Sequence, residues 1–134
     1  MSWADGVGDS CDSMIDCLHK ITNESTILAL RFLHRYTPVD TTNAQNSWYL
    51  SPNAPTYVQF GGRAVGRDPV AEARAVLANS RATVIHVTNS EDYIEALEWG
   101  TSAQARNGFM QQTTDAWPSF VAQAASMFKA KGWR

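Results

Sequence analysis

No run of basic residues occurs anywhere in this 134-residue chain, whose 11 Lys and Arg are scattered among 13 Asp and Glu for a net charge of -2. A surface of that kind is not built to grip phosphates, which excludes electrostatic attraction to DNA or RNA as the main activity; a duplex that merely slides past needs little attraction or none. Cysteine is scarce as well. Cys11 and Cys17 are the only two and lie six apart, a spacing that puts them on different faces of a helix. Neither a disulfide framework nor a zinc set follows, and both read as free thiols in a reducing compartment. Apolar runs of the roughly eighteen residues needed to cross a bilayer are missing. The opening "MSWADGVGDS" lacks the basic and apolar regions of a signal peptide. The expectation is a protein made and assembled in the cytoplasm, with no membrane association.

What is present is the composition of a folded chain, because hydrophobic residues make up 44% and charged residues only 18%. The length fits one domain over 1–134, with 1–9 expected to be flexible. Met14, Leu18, Ile21, Leu28 and Phe32 recur at helical spacing, which predicts a first helix from a cap at Asp9 or Ser10 to about Tyr36, where Pro38 stops it. Ile27, Leu30 and Leu33 widen its apolar arc, as either one broad core-facing side or contact on two sides would require. Trp48–Leu50 and Tyr57–Phe60 read as strands separated by "SPNAP". Asp68 followed by Pro69 starts a second helix that runs to about Asn79. Residues 82–89, "ATVIHVTN", form the clearest strand. A short helix over 91–99 follows, capped by Ser90 and released by Gly100. Phe109–Thr113 reads as a brief strand, and a last helix begins at Thr114 or Asp115 with Pro118 in its first turn. The order predicts an α+β fold, a small antiparallel sheet packed by a long N-terminal helix, a middle helix and a C-terminal helix.

Chemistry is harder to find. His19, His34 and His86 do not converge at metal-ligand spacing. No Gly-flanked Ser or Cys elbow is present, and "GGRAVG" lacks the strand and the Lys of a phosphate loop. The tempting group is Glu91, Asp92, Glu95 and Glu98. On a helix, Glu91, Glu95 and Glu98 share a face, which suits paired carboxylates or a hard cation. A solvated face, however, supplies neither the burial nor the partner that separates two carboxyl pKa values, and acids in a first turn complement the helix dipole. The expectation is therefore no catalytic residue, no metal and no cofactor. Glu91, Glu95, Glu98 and Arg106 are candidates for contacts between subunits, and Trp48, Tyr93, Leu97 and Trp99 for the packing centre.

Two stretches, "TPVDTTNAQNSWYLS" and "VIHVTNSEDYIEALEWGTSAQARNGFM", resemble the paired signatures of the tail-completion and head–tail joining (neck) proteins of long-tailed bacteriophages. In that family a "TPVDTG-x-A-x-x-x-W" segment follows a long first helix, and a strand then leads into "N-x-x-x-Y-x-x-x-LE-x-G-x-S-x-QAP-x-G". The likeness runs from about Thr37 to about Trp117. Thr42 stands where the family has Gly, so the turn after Asp40 cannot rely on a free φ there, and Arg106 stands where it has Pro, so the loop before Gly108 is less rigid than the pattern implies. The resemblance implies a non-catalytic virion protein at the head–tail junction, assembled in the host bacterial cytoplasm. It would form a homo-oligomeric ring, commonly a hexamer, between connector or stopper and tail-tube proteins, with genomic DNA passing through its channel without sequence-specific binding. A tail terminator capping the tube is the nearest alternative. A small carboxylate-dependent hydrolase using Glu91, Glu95 and Glu98, or an antitoxin-like binding module, would be different classes.

Overall fold

The computed structural model describes residues 3–37, 43–98 and 108–130. Helix α1 spans Trp3–Tyr36, α2 Asn43–Asn46, α3 Pro69–Leu77, α4 Ile94–Glu98 and α5 Phe109–Ala130, with strands β1 at Trp48–Pro52 and β2 at Ile85–Asn89 and a 3-10 turn at Gly61–Ala64. Strands β1 and β2 pair antiparallel, Trp48 opposite Asn89 and Leu50 opposite Val87. The α+β class expected from the sequence is the one observed. No helix among the described residues is long and apolar enough to cross a membrane.

Helix α1 starts well before Asp9 and Ser10, which lie inside it. Gly6 and Gly8 suggest a loose start, since each costs about 1 kcal/mol against Ala, but once a helix is nucleated every added residue gains a hydrogen bond. Its C-terminus closes as expected before Pro38, with the Thr37 amide donating to the Leu33 carbonyl at 2.9 Å. Residues Ser25 to Leu30 are all buried, so here the helix is enclosed on two sides. Ile27, Leu30 and Leu33 join Trp48, Leu50, Ala73, Leu77 and Phe109 in one cluster; Leu28 and Ala29 meet Phe120 and Ala124 of α5 in another. The two hydroxyls caught in this stretch are satisfied within the helix, Ser25 by the Ile21 carbonyl and Thr26 by that of Thr22.

Helix α3 begins as its sequence dictates, with Asp68 accepting from the Ala71 amide and Pro69 in the first turn. Other boundaries differ from expectation. Tyr57–Phe60 is not a strand; the segment is held beside β2 by single bonds such as Thr88 Oγ1 to the Thr56 carbonyl at 2.7 Å, and Tyr57 is 74% exposed. Phe60 reaches the Tyr49 ring of β1 at 6.1 Å, but Tyr57 and Gln59 are exposed, so most of the segment lacks the half-buried surface on which β preference rests. Strand β2 begins at Ile85 rather than Ala82, because its partner ends there: after the Asn53 amide donates to the Val84 carbonyl, Asn53 at φ +74° turns the chain away from the ladder.

Helix α4 begins only at Ile94, and Ser90 does not cap it: the Asn89 Oδ1 takes the Glu91 amide at 3.1 Å, leaving the buried Ser90 hydroxyl unpartnered among the described residues. The expected strand at Phe109–Thr113 is the first turn and more of α5, and Pro118 sits inside that helix. Thr113 and Thr114 are β-branched, yet their hydroxyls bond the carbonyls of Phe109 and Met110 one turn back, and Phe109 is driven fully into the core. Tertiary burial overrides the local preference.

Candidate interface site

Both signature stretches converge on one joint. Trp48, 2% exposed, donates its indole Nε1–H to Thr37 Oγ1 at 2.9 Å, and that hydroxyl donates in turn to the Leu33 carbonyl at the end of α1. The first signature is thus bracketed by its own Thr and Trp, the Thr37 hydroxyl adding a second donor to the Leu33 carbonyl while it accepts from the buried indole. The ring of Trp48 meets Phe109 edge-on at 6.1 Å and 83°, tying this joint to the end of the second signature. Asn89, on β2, donates its side-chain amide to the Ala44 carbonyl at 2.8 Å, and Ser47 donates to the Glu91 carboxylate at 2.9 Å.

Glu98 is occupied by backbone. One carboxylate oxygen accepts from the Met110 amide at 2.7 Å and the other from the Gln111 amide at 3.1 Å, so a residue ending α4 caps the start of α5. Four amides at a helix start lack partners inside the helix, and a carboxylate there also meets the positive end of the dipole. Gly108 makes this possible. Its φ is +76°, and a Cβ on it would lie 2.6 Å from a Glu98 carboxylate oxygen and 3.2 Å from the Glu98 carbonyl.

Of the residues singled out in the sequence, Trp48 lies in the core, whereas Tyr93 is 41% exposed and does not belong to the packing centre. With α4 starting only at Ile94, Tyr93 falls in the turn before it and points off the core. The Leu97 side chain, Trp99 and Arg106 lie outside the described residues. Glu91, Glu95 and Glu98 do not form the common row that a helix over 91–99 would give: Glu91 precedes α4 and bonds Ser47, Glu95 is exposed, and Glu98 caps α5. No group of three metal-ligating side chains occurs among the described residues.

Around this joint lies an open groove of about 760 Å³, walled by Tyr57, Val87, Ile94 and Met110 over the edge of Trp48, with Glu95 and Glu98 on its rim. No Lys or Arg among the described residues lines it. A second groove of about 610 Å³ lies between α1 and α5 and has the opposite character, with Arg31, His34 and Arg35 beside Phe32, Tyr36 and Phe120 and no carboxylate among the described residues in its lining.

Sequence reasoning missed Arg67. Its guanidinium lies 3.6 Å over the Phe60 ring, donates to the Asn46 and Trp48 carbonyls and pairs with Glu72 at 3.0 Å. It clamps the start of β1 to the segment before α3. No local pattern announces a cation whose partners come from four separate segments. The chain matches no protein-family model, no curated protein and no solved structure.

Proposed function

We propose that this chain is a non-catalytic structural protein of a phage virion. It assembles as a ring at the head–tail junction, completes the tail, joins it to the head connector and leaves a channel for DNA. The observation that carries this reading is the convergence of the two signature stretches on a single structural joint, with Thr37 bound to Trp48, Trp48 against Phe109, and Glu98 capping α5 beside Gly108. Residues that resemble a family pattern are here explained by architecture. Of the tempting carboxylates, Glu91 is engaged by the Ser47 hydroxyl and Glu98 by backbone amides, so the group is not gathered around a space where a substrate could react.

Ring assembly suits the surface. A closed ring of identical subunits needs two different faces on each copy, and the two grooves supply distinct ones. The mild negative charge suits a channel through which DNA must move, since strong phosphate binding would hold it.

Electron microscopy and sedimentation of the purified chain test the proposal: rings are expected, together with presence of the protein in purified particles. A chain that stays monomeric at high concentration and is missing from particles would sink it. Replacing Glu91, Glu95 and Glu98 by Gln separates the hydrolase alternative, which requires lost hydrolysis with particle assembly unchanged.

A further inference from the structure

We propose that the ring is closed by docking the basic face of one copy, Arg31 and Arg35 with Tyr36, onto the acidic face of the next, Glu95 with Tyr57 and Met110 in the groove over Trp48 and the exposed Asp92 three residues before Glu95. This rests on the ring reading above and specifies its subunit contact.

Three observations on the two faces carry it. The first is charge. The α1–α5 groove is lined by Arg31, His34 and Arg35 and by no carboxylate, and the groove over Trp48 is lined by Glu95 and Glu98 and by no Lys or Arg among the described residues. Glu98 caps α5 and His34 bonds Asn46, but Arg31, Arg35 and Glu95 are uncommitted. The described ion pairs use Arg67, Arg74 and Arg81, whereas Arg31, Arg35 and Glu95 are exposed with no ion pair to any described residue. Asp92 is exposed and receives only a long hydrogen bond, 3.5 Å, from Gln59.

The second is apolar surface on both sides. Tyr36 is 42% exposed and lies under the Arg35 guanidinium, while Tyr57 at 74% and Met110 at 47% stand open on the acidic side. Aromatic and arginine anchors meeting an apolar pocket are what dominates the energetics of protein contacts, and charge pairs at the edge set register and partner choice.

The third is direction. The acidic groove touches α5 through Met110, Gln111 and Thr114, the basic one through Phe120 and Gln123. At about 3.6 residues per turn these sets lie on roughly opposite sides of the helix. Two complementary faces pointing apart on one subunit produce a head-to-tail contact, which closes into a ring when the rotation allows, whereas a two-fold dimer would need one self-complementary face.

Charge reversal tests it on the full-length chain. All four charged residues are exposed, so Arg31→Glu with Arg35→Glu, and separately Asp92→Arg with Glu95→Arg, should leave thermal melting unchanged while moving half-assembly in sedimentation velocity to a concentration roughly a hundredfold or more higher. Mixed one to one, the two variants should reassemble, because each contact in an alternating ring then joins opposite charges. Combining all four reversals in one chain should restore assembly as well.

Reversal variants that assemble like the wild type would overturn the inference while leaving the ring reading in place. Variants that are folded and monomeric but do not reassemble when mixed would also overturn it, since the two faces then do not meet. Should Arg31→Glu with Arg35→Glu assemble normally yet lose retention on duplex DNA, the basic face serves phosphate and the inference fails. Should residues 99–107 of the same chain fill the acidic groove, Asp92→Arg with Glu95→Arg would shift the melt and spare assembly, which again overturns it. A wild-type chain that is monomeric at all concentrations removes the ring reading itself.

Discussion

At the scale of single residues, the acidic cluster resolves into separate tasks. Glu98 and Gly108 act as one unit, because a side chain at 108 would meet both an unfavourable φ and the carboxylate that caps α5. Gly108→Ala should lower stability by about 1–3 kcal/mol, the usual cost of forcing a side chain into the left-handed region. Glu98→Ala should cost about 1–2 kcal/mol as a lost cap. The double variant should cost clearly less than the sum, because displacing the carboxylate already forfeits the cap; chemical denaturation of the four chains measures this, and strict additivity would refute the shared role. Trp48→Phe keeps a ring against Phe109 but removes the donor to Thr37. A loss of about 1 kcal/mol in the same assay is expected for that bond alone, and Thr37→Val should bring little further loss on top of it. The sequence marked Trp48 correctly as a large apolar residue among turn signals. It also marked Tyr93, which is exposed, because spacing read from an assumed helix start assigned it to the inner face.

Among elements, α1 is the one on which everything else is hung. Its buried stretch takes α3 and the sheet on one side and α5 on the other, while Met14 and Leu18 nearer its start are 65% and 58% exposed. Two leucines on the same helix should therefore behave differently. Leu30→Ala, at a position with no exposure, should cost about 2–5 kcal/mol. Leu18→Ala should stay within about 0.5 kcal/mol of the wild type in the free chain. Equal effects in thermal melts would mean that the N-terminal part of α1 has a packing partner in the chain itself. Periodicity revealed that α1 exists and where its apolar arc lies. Its N-terminus was hidden because glycines and an Asp–Ser pair read as a start locally, while a helix already formed extends through them. The origin of α5 was hidden for a related reason: its cap is supplied by Glu98, eleven residues before Phe109 and across an intervening segment, so the capping residue does not stand next to Phe109.

For the whole molecule, net charge and charge placement make different statements. A chain at -2 should show no measurable retention on duplex DNA at physiological salt once assembled, a result that filter binding or mobility shift reads directly. Strong retention by the assembled protein would argue against a passive channel. The separation of Arg31 and Arg35 from Glu95 onto different faces has no trace in composition, because a net charge sums over all positions; in the sequence each set is local, Arg31 and Arg35 four apart and Asp92 and Glu95 three apart, but which face each occupies depends on the tertiary packing.

The sequence by itself determined that this is a folded α+β chain, that α3 starts at Asp68–Pro69, and that a strand ends at Asn89. Each of these rests on composition or on signals a few residues apart. Only the tertiary structure decided that the acids serve as cap and contact rather than as a row, that Tyr57–Phe60 has no ladder, and that Arg67 binds four segments at once. Those outcomes depend on which distant groups arrive at a given donor, acceptor or apolar surface. Burial and backbone satisfaction, rather than local propensity, choose among them.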